Sequence, residues 1–435
     1  MFSKILIANR GEIAVRIIRA CKEMGVSTVA VYSRADKNAL HVALADQSYC
    51  IGEAEASESY LNENQIISTA LLAGAQAIHP GYGFLSENAR FARLCRKNGL
   101  VFIGPEPESM ERLSDKASLK ELMAEAGLTV IPGTQALPTL EAARRAAGEI
   151  GYPVMLKACA GGGGRGIRLI HSEEDLSDAY LQARAEAQAA FGDGSVYLEK
   201  YIFPACHVEL QMLADEQGHV VCLGDRDCSL QRRNQKLLEE TPSPAVGSEQ
   251  RERIMASAVE AVKKLGYVGA GTLEFLLDRE GRFWFMEMNV RLQVEHCVTE
   301  MLTGIDLVKW QIRIAAGIPL DFSQKDVPLS GCAIECRINA QSCGTLKMLH
   351  TPGGPSVRFD SCLIAGTAVS PYYDSLLGKL VVYAKTREEA LRKIRAALCE
   401  LVIEDIPTNI EEQLNIVGDE RFITGNYDLT FMGNR

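Results

Sequence analysis

Apolar runs and helical patterns alternate along the first quarter of the chain. The run KILIA has the composition of a buried strand, and residues 13–21 then place apolar side chains at helical spacing before Gly25, which suits a helix end. A second apolar run, STVAVYS, follows, and strand and helix patterns continue through AQAIHP and LVFIG. This alternation predicts a doubly wound α/β domain over residues 1–113.

The rest of the chain has a different pattern. Residues 114–130 are typical of a linker helix, and two strand patterns within residues 150–170 flank a Gly-rich turn. With the helical pattern and the strand VYLEKYIF that follow, they predict a small α+β unit over residues 131–203. Strands dominate the start of the C-terminal part, residues 204–435. Helices are predicted there at 250–265, 304–316 and 386–400.

The segment FWFMEMNVRLQVEH, residues 283–296, alternates apolar and polar side chains. In an extended chain successive side chains point to opposite faces. One face then carries Trp284, Met286, Met288, Val290, Leu292 and Val294. The other carries Phe283, Phe285, Glu287, Asn289, Arg291, Gln293 and Glu295. A solvated strand face rarely changes from two Phe to five polar groups, so the second face is interpreted as functional.

The preceding residues predict a β-hairpin that turns at Glu280 and Gly281. In this register Glu274 lies directly opposite Glu287, with Cβ atoms about 5 Å apart. Two facing carboxylates repel each other, and with the amide of Asn289 they form a set of oxygen donors that suits Mg²⁺. A surface pair of glutamates without a metal is the alternative interpretation.

A run of glycines, residues 161–164, lies between the two strands of the predicted α+β unit. Glycine backbone N–H groups can close around phosphate oxygens, and Lys157 on the preceding strand can add a positive charge. Because Mg²⁺ usually brings phosphate oxygens with it, the glycine run and the carboxylate pair support each other. The run is not a P-loop, and simple flexibility is the alternative.

Several charged residues have weaker signals. Arg291 and Glu295 suggest a small anionic substrate with a base beside it. The run DRDCSLQRRNQK, residues 225–236, is more often a solvated basic strand. A lone residue such as His207 is more often structural than catalytic, and Arg337 in ECRINA indicates little by itself.

Composition narrows the class of protein. The net charge of the 435 residues is -10, which argues against nucleic acid as a main partner, although a local basic pocket stays possible. The 13 cysteines include no CxxC pair, as expected for reduced thiols in a cytosolic enzyme. We find no signal peptide and no apolar run long enough to span a membrane, so we expect a cytoplasmic protein without membrane contacts.

Seven motifs then occur in order along nearly the whole chain. They are IANRGEIAVR, AIHPGYGFLSEN, GGGGRG, RDCSLQRRNQK, EMNVRLQVEH, ECRINA and PYYDSLLGKL. Together they closely resemble biotin carboxylase, an ATP-grasp enzyme and a component of acetyl-CoA carboxylase. The resemblance implies an ATP-grasp architecture with an N-terminal α/β domain, a mobile lid and a C-terminal mixed-sheet domain.

The resemblance also implies roles for particular residues. Nucleotide contacts are implied at Lys116, Lys157, Gly163, Gly164, Glu199, Lys200, Tyr201, Ile202, His207, Gln231, Asn234, Glu274 and Glu287. Glu274, Glu287 and Asn289 match the ligands of Mg²⁺ or Mn²⁺. Lys236, Arg291, Gln293 and Val294 match a bicarbonate pocket. Glu295 matches the base that deprotonates bicarbonate, and Arg337 matches the residue that stabilises the biotin enolate.

The implied reaction has two stages. Bicarbonate attacks the γ-phosphate of ATP to give carboxyphosphate, and CO₂ released from it is captured by biotin. The implied partners are a biotin carboxyl carrier protein and carboxyltransferase subunits, with a homodimer of this chain.

The sequence departs from the family pattern at four places. Asn234 replaces a histidine, Ala160 replaces a lid glycine, Cys297 replaces a proline, and the loop after Ala340 is shorter. Three hypotheses therefore stay open: an active carboxylase subunit of acetyl-CoA carboxylase or of another biotin-dependent enzyme, a nucleotide-binding paralogue with a structural or regulatory role, and an ATP-grasp ligase for another acceptor.

The chain lacks the Met-Lys-Met motif to which biotin is usually attached. We therefore expect biotin to arrive on a separate carrier protein. Intact-mass spectrometry of the chain produced together with a biotin ligase should show the unmodified mass. A population heavier by one biotinyl group would contradict this expectation.

Overall fold

The computed structural model describes residues 1–114, 116–159 and 167–433. Its N-terminal part contains the predicted parallel sheet, whose strand order is β3-β2-β1-β4-β5. The strands are β1 Lys4–Ile7, β2 Ser27–Ser33, β3 Gln47–Gly52, β4 Ala77–His79 and β5 Val101–Phe102. The helices are α1 Gly11–Glu23, α2 Leu40–Leu44, α3 Glu63–Leu72, α4 Ala89–Lys97 and α5 Pro107–Ser114.

A helix and a small α+β unit follow. Helix α6, Lys116–Glu125, occupies the predicted linker. A three-stranded antiparallel sheet in the order β7-β6-β8 then packs on two helices. These elements are α7 Leu140–Ile150, β6 Val154–Ala158, β7 Ile167–Ile170, α8 Glu173–Phe191 and β8 Val196–Lys200. The unit has a core of its own, built around Leu156, Tyr180 and Leu198, so it is internally stabilised apart from the other sheets.

The C-terminal part is organised by an eight-stranded sheet in the order β13-β12-β9-β10-β11-β14-β19-β17. Each of its described strand pairs is antiparallel. The strands are β9 Ala205–Ala214, β10 Val220–Arg232, β11 Gln235–Thr241, β12 Gly269–Asp278, β13 Phe283–Asn289, β14 Cys332–Asn339, β17 Val357–Ser361 and β19 Leu376–Ala384. The helices are α9 Ser248–Leu265, α10 His296–Thr303, α11 Leu307–Ala315, α12 Arg387–Glu400, α13 Ile410–Val417 and α14 Glu420–Ile423.

Two small ladders lie beside this sheet. They pair β15 Gly344–Thr345 with β18 Ala368–Val369, and β16 Leu349–His350 with β20 Val402–Ile403. The shortened loop after Ala340 therefore forms regular structure. The α/β and α+β fold class is confirmed, whereas the predicted domain boundaries at residues 113, 130 and 203 stay predictions. Across the described part of the chain, every helix is too short or too polar to cross a bilayer.

The N-terminal domain and the large sheet share one apolar core. Ile7 and Ile17 of the first domain pack in the same cluster as Leu213 and Trp310 of the C-terminal part. Burial of such side chains contributes about 1.5–3 kcal/mol each, so this shared core fixes the two parts against each other. The polar residues described below lie on strands of the large sheet and on the segment that leaves β13.

The hairpin of β12 and β13 has the predicted carboxylate pair, but its strand register differs from the predicted one beside that pair. Glu274 is opposite Glu287, whereas Phe275 is opposite Phe285, so Met286 is an extra residue in a β-bulge. The bulge reverses which residues face the core, because Phe283 and Phe285 are buried before it while Met288 is buried after it. The prediction that the two Phe share a face with Glu287 is therefore wrong.

The strand also ends earlier than predicted. β13 stops at Asn289, and Glu295 directly precedes helix α10 as its N-cap residue. Alternation over residues 290–296 therefore does not come from an extended strand. Gln293 and Glu295 come close to Glu274 and Lys236 because the chain turns there.

The bulge predicts which of two neighbouring side chains contributes more to the free energy of unfolding. Phe285 is fully buried and its ring lies 5.8 Å from that of Phe275, whereas Met286 is half-buried. We expect Phe285→Ala to cost about 3–5 kcal/mol and Met286→Ala about 1 kcal/mol. The measurement is the midpoint of guanidinium-induced unfolding for the two variants. A loss for Met286→Ala as large as or larger than that for Phe285→Ala would contradict the bulge, and a larger one would agree with the predicted alternation.

Candidate functional site

The paired carboxylates lie at the edge of the large sheet. Glu274 is 5% exposed, and its Oε1 accepts hydrogen bonds from Asn289 Nδ2 at 2.6 Å and from Gln293 Nε2 at 2.9 Å. Its Oε2 lies 3.0 Å from His207 Nε2. Burial opposes a charge on Glu274, but Lys236 and His207 outweigh it and hold the pKa well below its usual range. Glu274 is therefore ionised at neutral pH.

Lys236 is the cation at the centre of the site. Its Nζ donates to Glu209 Oε1 and, at 2.6 Å, to Glu295 Oε1, and it lies 3.6 Å from Glu274 Oε1. Burial alone would lower the pKa of Lys236, but the three carboxylates raise it well above its usual value. One ammonium group thus compensates acids from three different elements: β9, β12 and the N-cap of α10.

Glu295 is held by two cations at once. Its Oε1 accepts from Lys236 at 2.6 Å, and its Oε2 accepts from Arg337 Nη2 at 2.9 Å. Burial favours the neutral acid, but Lys236, Arg337 and Arg226 keep the pKa of Glu295 well below its usual range. The carboxylate is thus held in its ionised form by these cations.

A row of polar side chains leads from Glu274 towards the N-terminal domain. Arg291 donates through Nη2 to Asn289 Oδ1 at 3.0 Å and through Nη1 to Gln293 Oε1 at 3.3 Å. Its Nε donates at 3.0 Å to Oε2 of Glu87, a residue that follows strand β4 in the first domain. The guanidinium therefore links the two domains beside the carboxylate pair. Val294 contributes its carbonyl oxygen, which accepts from Lys379 Nζ at 2.9 Å.

The run DRDCSLQRRNQK is not a solvated strand over most of its length. Arg226 is fully buried and donates to Glu209 Oε2, to Gln211 Oε1 at 2.7 Å and to Thr299 Oγ1 at 3.0 Å. Burial, together with repulsion from Glu295 and Glu274, raises the pKa of Glu209 to about 7. The attraction of Lys236 and Arg226 lowers this pKa only in part. The interpretation as a solvated basic face is wrong for Arg226 and Lys236, and holds for the half-exposed Arg232.

His207 is oriented by Gln231 on the neighbouring strand. Gln231 Nε2 lies 2.7 Å from His207 Nδ1 and also donates to the carbonyl of Cys228 at 2.7 Å. Burial would lower the pKa of His207, but the carboxylate of Glu274 raises it.

Asn234 lies in the two-residue turn between β10 and β11 with φ 63°. Asparagine tolerates this left-handed backbone well, so the departure from histidine suits the turn.

Two lysines contact one acid: Lys157 lies on β6 of the α+β unit that corresponds to the implied lid (the lid unit), and Lys120 lies on helix α6. Lys157 and Lys120 each donate to a different oxygen of Glu199, which is 3% exposed. Burial works against ionisation of Glu199, but the two ammonium groups lower its pKa. Lys200 Nζ instead donates to the carbonyl of Gly151 at 2.7 Å.

The remaining predicted nucleotide contacts are less defined by the structure. Tyr201 and Ile202 follow β8, and the Tyr201 ring stacks on that of Phe203 at 5.0 Å. Lys116 begins helix α6, and its side chain lies outside the described part of the structure. Gly163 and Gly164, together with the departure at Ala160, also lie outside the described residues.

The donor set fits a divalent cation. Glu274 and Glu287 are cross-strand neighbours that offer hard oxygen ligands, and Glu274 is ionised. Asn289 turns Nδ2 towards Glu274 and Oδ1 towards Arg291, so its amide must rotate to add an oxygen ligand to the same ion. The residues present therefore fit Mg²⁺ or Mn²⁺, and the two carboxylates would be its main protein ligands.

Sequence reasoning missed several charged residues in and around the site. Glu209, Arg226 and Glu239 were given no role, and Lys120 and Glu87 were not singled out. Alternation in HVELQ could have indicated Glu209, because His207, Glu209 and Gln211 lie on one face of β9. The other residues had no local signal, since their partners lie on distant segments of the chain.

Comparisons with known proteins agree with this architecture. Residues 115–323 match the family model of the carbamoyl-phosphate synthase L chain ATP binding domain. An antiparallel sheet with paired acids and a separate α+β unit, together with this match, define an ATP-grasp enzyme. Residues 1–110 and 335–434 match the models of the N-terminal and the C-terminal domain of biotin carboxylase. The chain belongs to the biotin carboxylase family, a family of ATP-dependent ligases.

Individual relatives match over the full length of the chain. Biotin carboxylase 1 of Bacillus subtilis is 51% identical over 442 residues, covering 99% of this chain and 98% of the relative. A biotin carboxylase of Campylobacter jejuni in complex with β-γ-ATP has a TM-score of 0.98 at 48% identity, covering 100% of this chain and 99% of that one. The biotin carboxylase domain dimer of Hydrogenobacter thermophilus 2-oxoglutarate carboxylase, in complex with MgADP, ADP and bicarbonate, has a TM-score of 0.97 at 49% identity, with 100% and 98% coverage.

Lys236→Met tests the charge compensation. Three buried carboxylates lose a shared cation, so we expect the variant to lose about 3–5 kcal/mol of stability at neutral pH. Without Lys236 the already raised pKa of Glu209 rises further, and those of Glu274 and Glu295 rise as well. The stability of the variant should therefore increase more than that of the wild type as the pH falls from 8 to 5. The measurement is the thermal midpoint across this pH range.

The control for this prediction is Lys263→Met, which removes a half-exposed lysine paired with Glu260 at 2.9 Å. We expect its midpoint to follow that of the wild type at each pH. A Lys236→Met midpoint that changes between pH 8 and 5 by the same amount as that of the wild type would contradict the account of the site.

Proposed function

We propose that the chain catalyses the ATP-dependent carboxylation of biotin by bicarbonate, with biotin attached to a partner carrier protein. The observation that carries the proposal is the placement of Glu295 between Lys236 and Arg337, beside the row of Arg291 and Gln293 and the acid pair at Glu274. Cations for a small anion, a base and metal-ligating acids thus converge in one place.

In the proposed first stage, Lys236 and Arg291 bind bicarbonate and Glu295 removes its proton. Two fixed cations favour the anion, and partial withdrawal of Lys236 from Glu295 raises the basicity of this carboxylate at the moment of binding. The bicarbonate oxygen then attacks the γ-phosphate of ATP, which forms carboxyphosphate and releases ADP. A bound Mg²⁺ would neutralise phosphate charge, and Glu274 and Glu287 would hold it.

In the proposed second stage, carboxyphosphate breaks down to CO₂ and phosphate, and this phosphate takes the N1′ proton of biotin. Arg337 stabilises the resulting enolate, which captures the CO₂. Arg337 is suited to this role because its guanidinium is fixed by Glu239 and Glu295 from two sides, so it needs little reorganisation. Closure of the lid unit would shield carboxyphosphate from water, and Lys157 and Gly163 with Gly164 would contact the nucleotide phosphates.

The partners follow from the same proposal. The carrier protein presents biotin, and a carboxyltransferase moves the carboxyl group to the final acceptor. We propose the acetyl-CoA carboxylase system and a homodimer of this chain. One similar protein is the 2-oxoglutarate carboxylase small subunit of Hydrogenobacter thermophilus, 49% identical over 441 residues. Reconstitution with each type of carboxyltransferase distinguishes the acceptors, and turnover with acetyl-CoA is the expected result.

Bicarbonate-dependent ATP hydrolysis with and without free biotin tests the activity. We expect biotin to stimulate hydrolysis, and we expect Glu295→Gln to lower the stimulated rate about 100-fold or more, because the amide cannot accept the proton. Glu280→Gln is the matched control, since Glu280 is exposed at the turn of the β12–β13 hairpin.

The possible outcomes separate the hypotheses. ATP binding measured by calorimetry without biotin-stimulated hydrolysis would replace the proposal by the nucleotide-binding paralogue. Hydrolysis stimulated by another acceptor but not by biotin would favour a different ATP-grasp ligase. Full activity of Glu295→Gln would remove Glu295 from its proposed role.

A further inference from the structure

Behind Arg337 lies a second acid pair that the reaction does not use. Glu239 on β11 is the direct cross-strand neighbour of Glu335 on β14, and both are fully buried. Side chains at such positions have Cβ atoms about 5 Å apart. Two carboxyl groups therefore face each other in the interior, two residues along β14 from Arg337.

Three of the four carboxylate oxygens of this pair have no hydrogen-bond partner among the described residues. Glu239 Oε1 accepts from Arg337 at 2.6 Å, whereas Glu239 Oε2 has no partner among the described residues. Both oxygens of Glu335 are likewise buried without a partner there. Opposed carboxyl groups that each keep a buried oxygen without a donor are what a structure shows when one of the two groups carries a proton.

The charges around Glu335 favour that proton. Glu239 faces it from β11, Arg337 from its own strand, Lys379 from β19 and Glu295 from the start of α10. Arg337 is shared by Glu239 and Glu295, and Lys379 Nζ is directed to Glu12 at 3.0 Å and to the carbonyl of Val294. Both cations are thus already engaged by other groups. Burial first, and then Glu239, raise the pKa of Glu335 well above its usual value.

The site is also closed to a compensating ion. Cys297 and Val298 of α10 pack against Ala333 and Val381 of the sheet and so cover the face on which Glu335 lies. An ionised, unpaired carboxylate in such a place is costly, and a buried group takes up a proton instead.

We propose that Glu335 is a positioning residue that, as a carboxylic acid, donates a hydrogen bond to Oε2 of Glu239 and so fixes the carboxylate that orients Arg337 beside Glu295. The inference rests on the proposed function for its kinetic part, because Arg337 acts there on biotin. Its structural part, a buried protonated acid bonded to Glu239, is independent of the reaction.

Infrared difference spectroscopy tests the structural part. We expect a carbonyl stretching band of a protonated carboxylic acid at pH 8 in the wild type, and its loss in Glu335→Gln. Persistence of an unchanged band in this variant, or absence of the band in the wild type, would overturn the proposal even if the protein proves to have another activity.

Kinetics of two variants test the positioning part. Glu335→Gln keeps a neutral group with an N–H donor and should retain most of the biotin-dependent turnover. Glu335→Met has similar length without a donor, and we expect it to lower biotin-dependent kcat about 10-fold to 100-fold, because Glu239 loses a hydrogen bond to a charged acceptor. Comparison of thermal midpoints separates this effect from loss of folding.

A double-mutant cycle shows whether Glu335 acts through Glu239. In a Glu239→Gln background, Glu335→Met should cost much less than in the wild type. Equal costs in both backgrounds, or equal losses in Glu335→Gln and Glu335→Met, would overturn the positioning role. If the wild type lacks biotin-dependent turnover, the proposed function fails, and the infrared result still decides the state of Glu335.

Discussion

The contact of one buried ammonium group with several buried carboxylates is the constraint on which the site depends. Lys236 bonds to Glu209 and Glu295 and lies close to Glu274, three acids that would repel one another without it. Interior charges of this kind are tolerated only when they are paired and hydrogen-bonded. The ion network therefore fixes the positions of these three acids relative to one cation, which also gives the site its proposed affinity for a small anion.

The fold makes this arrangement possible by bringing separate strands to one face. Lys236 comes from β11, Glu209 from β9, Glu274 from β12 and Arg337 from β14, all within one antiparallel sheet. Glu295 joins them from the N-cap of α10, where the chain has turned away from β13. A rigid sheet holds such groups more precisely than loops do, and the lid unit has a separate hydrophobic core.

The sequence was most informative where contacts are local. Glu274 and Glu287 could be paired from the hairpin alone, because both lie within 13 residues along the chain. The assumed two-residue turn was nevertheless wrong, since Asp278 pairs with Arg282 across the turn, and the bulge at Met286 restores the expected pair. Arg226 and Glu335 could not be placed in this way, because their environment depends on strands and helices that are remote in sequence. Whether a charged side chain is buried depends on the tertiary structure. A basic run or an alternating pattern in the sequence therefore does not predict it.

The central claim is that Lys236, Arg291 and Glu295 form the place where bicarbonate loses its proton, beside an ion held by Glu274 and Glu287. A crystal structure with MnADP and bicarbonate tests it most directly, since anomalous scattering locates the manganese. The account predicts manganese between the two carboxylates and a carbonate-sized anion in contact with all three residues, with Lys236 drawn partly away from Glu295. Manganese at another place, or an anion bound elsewhere while the Lys236–Glu295 contact stays intact, would contradict it.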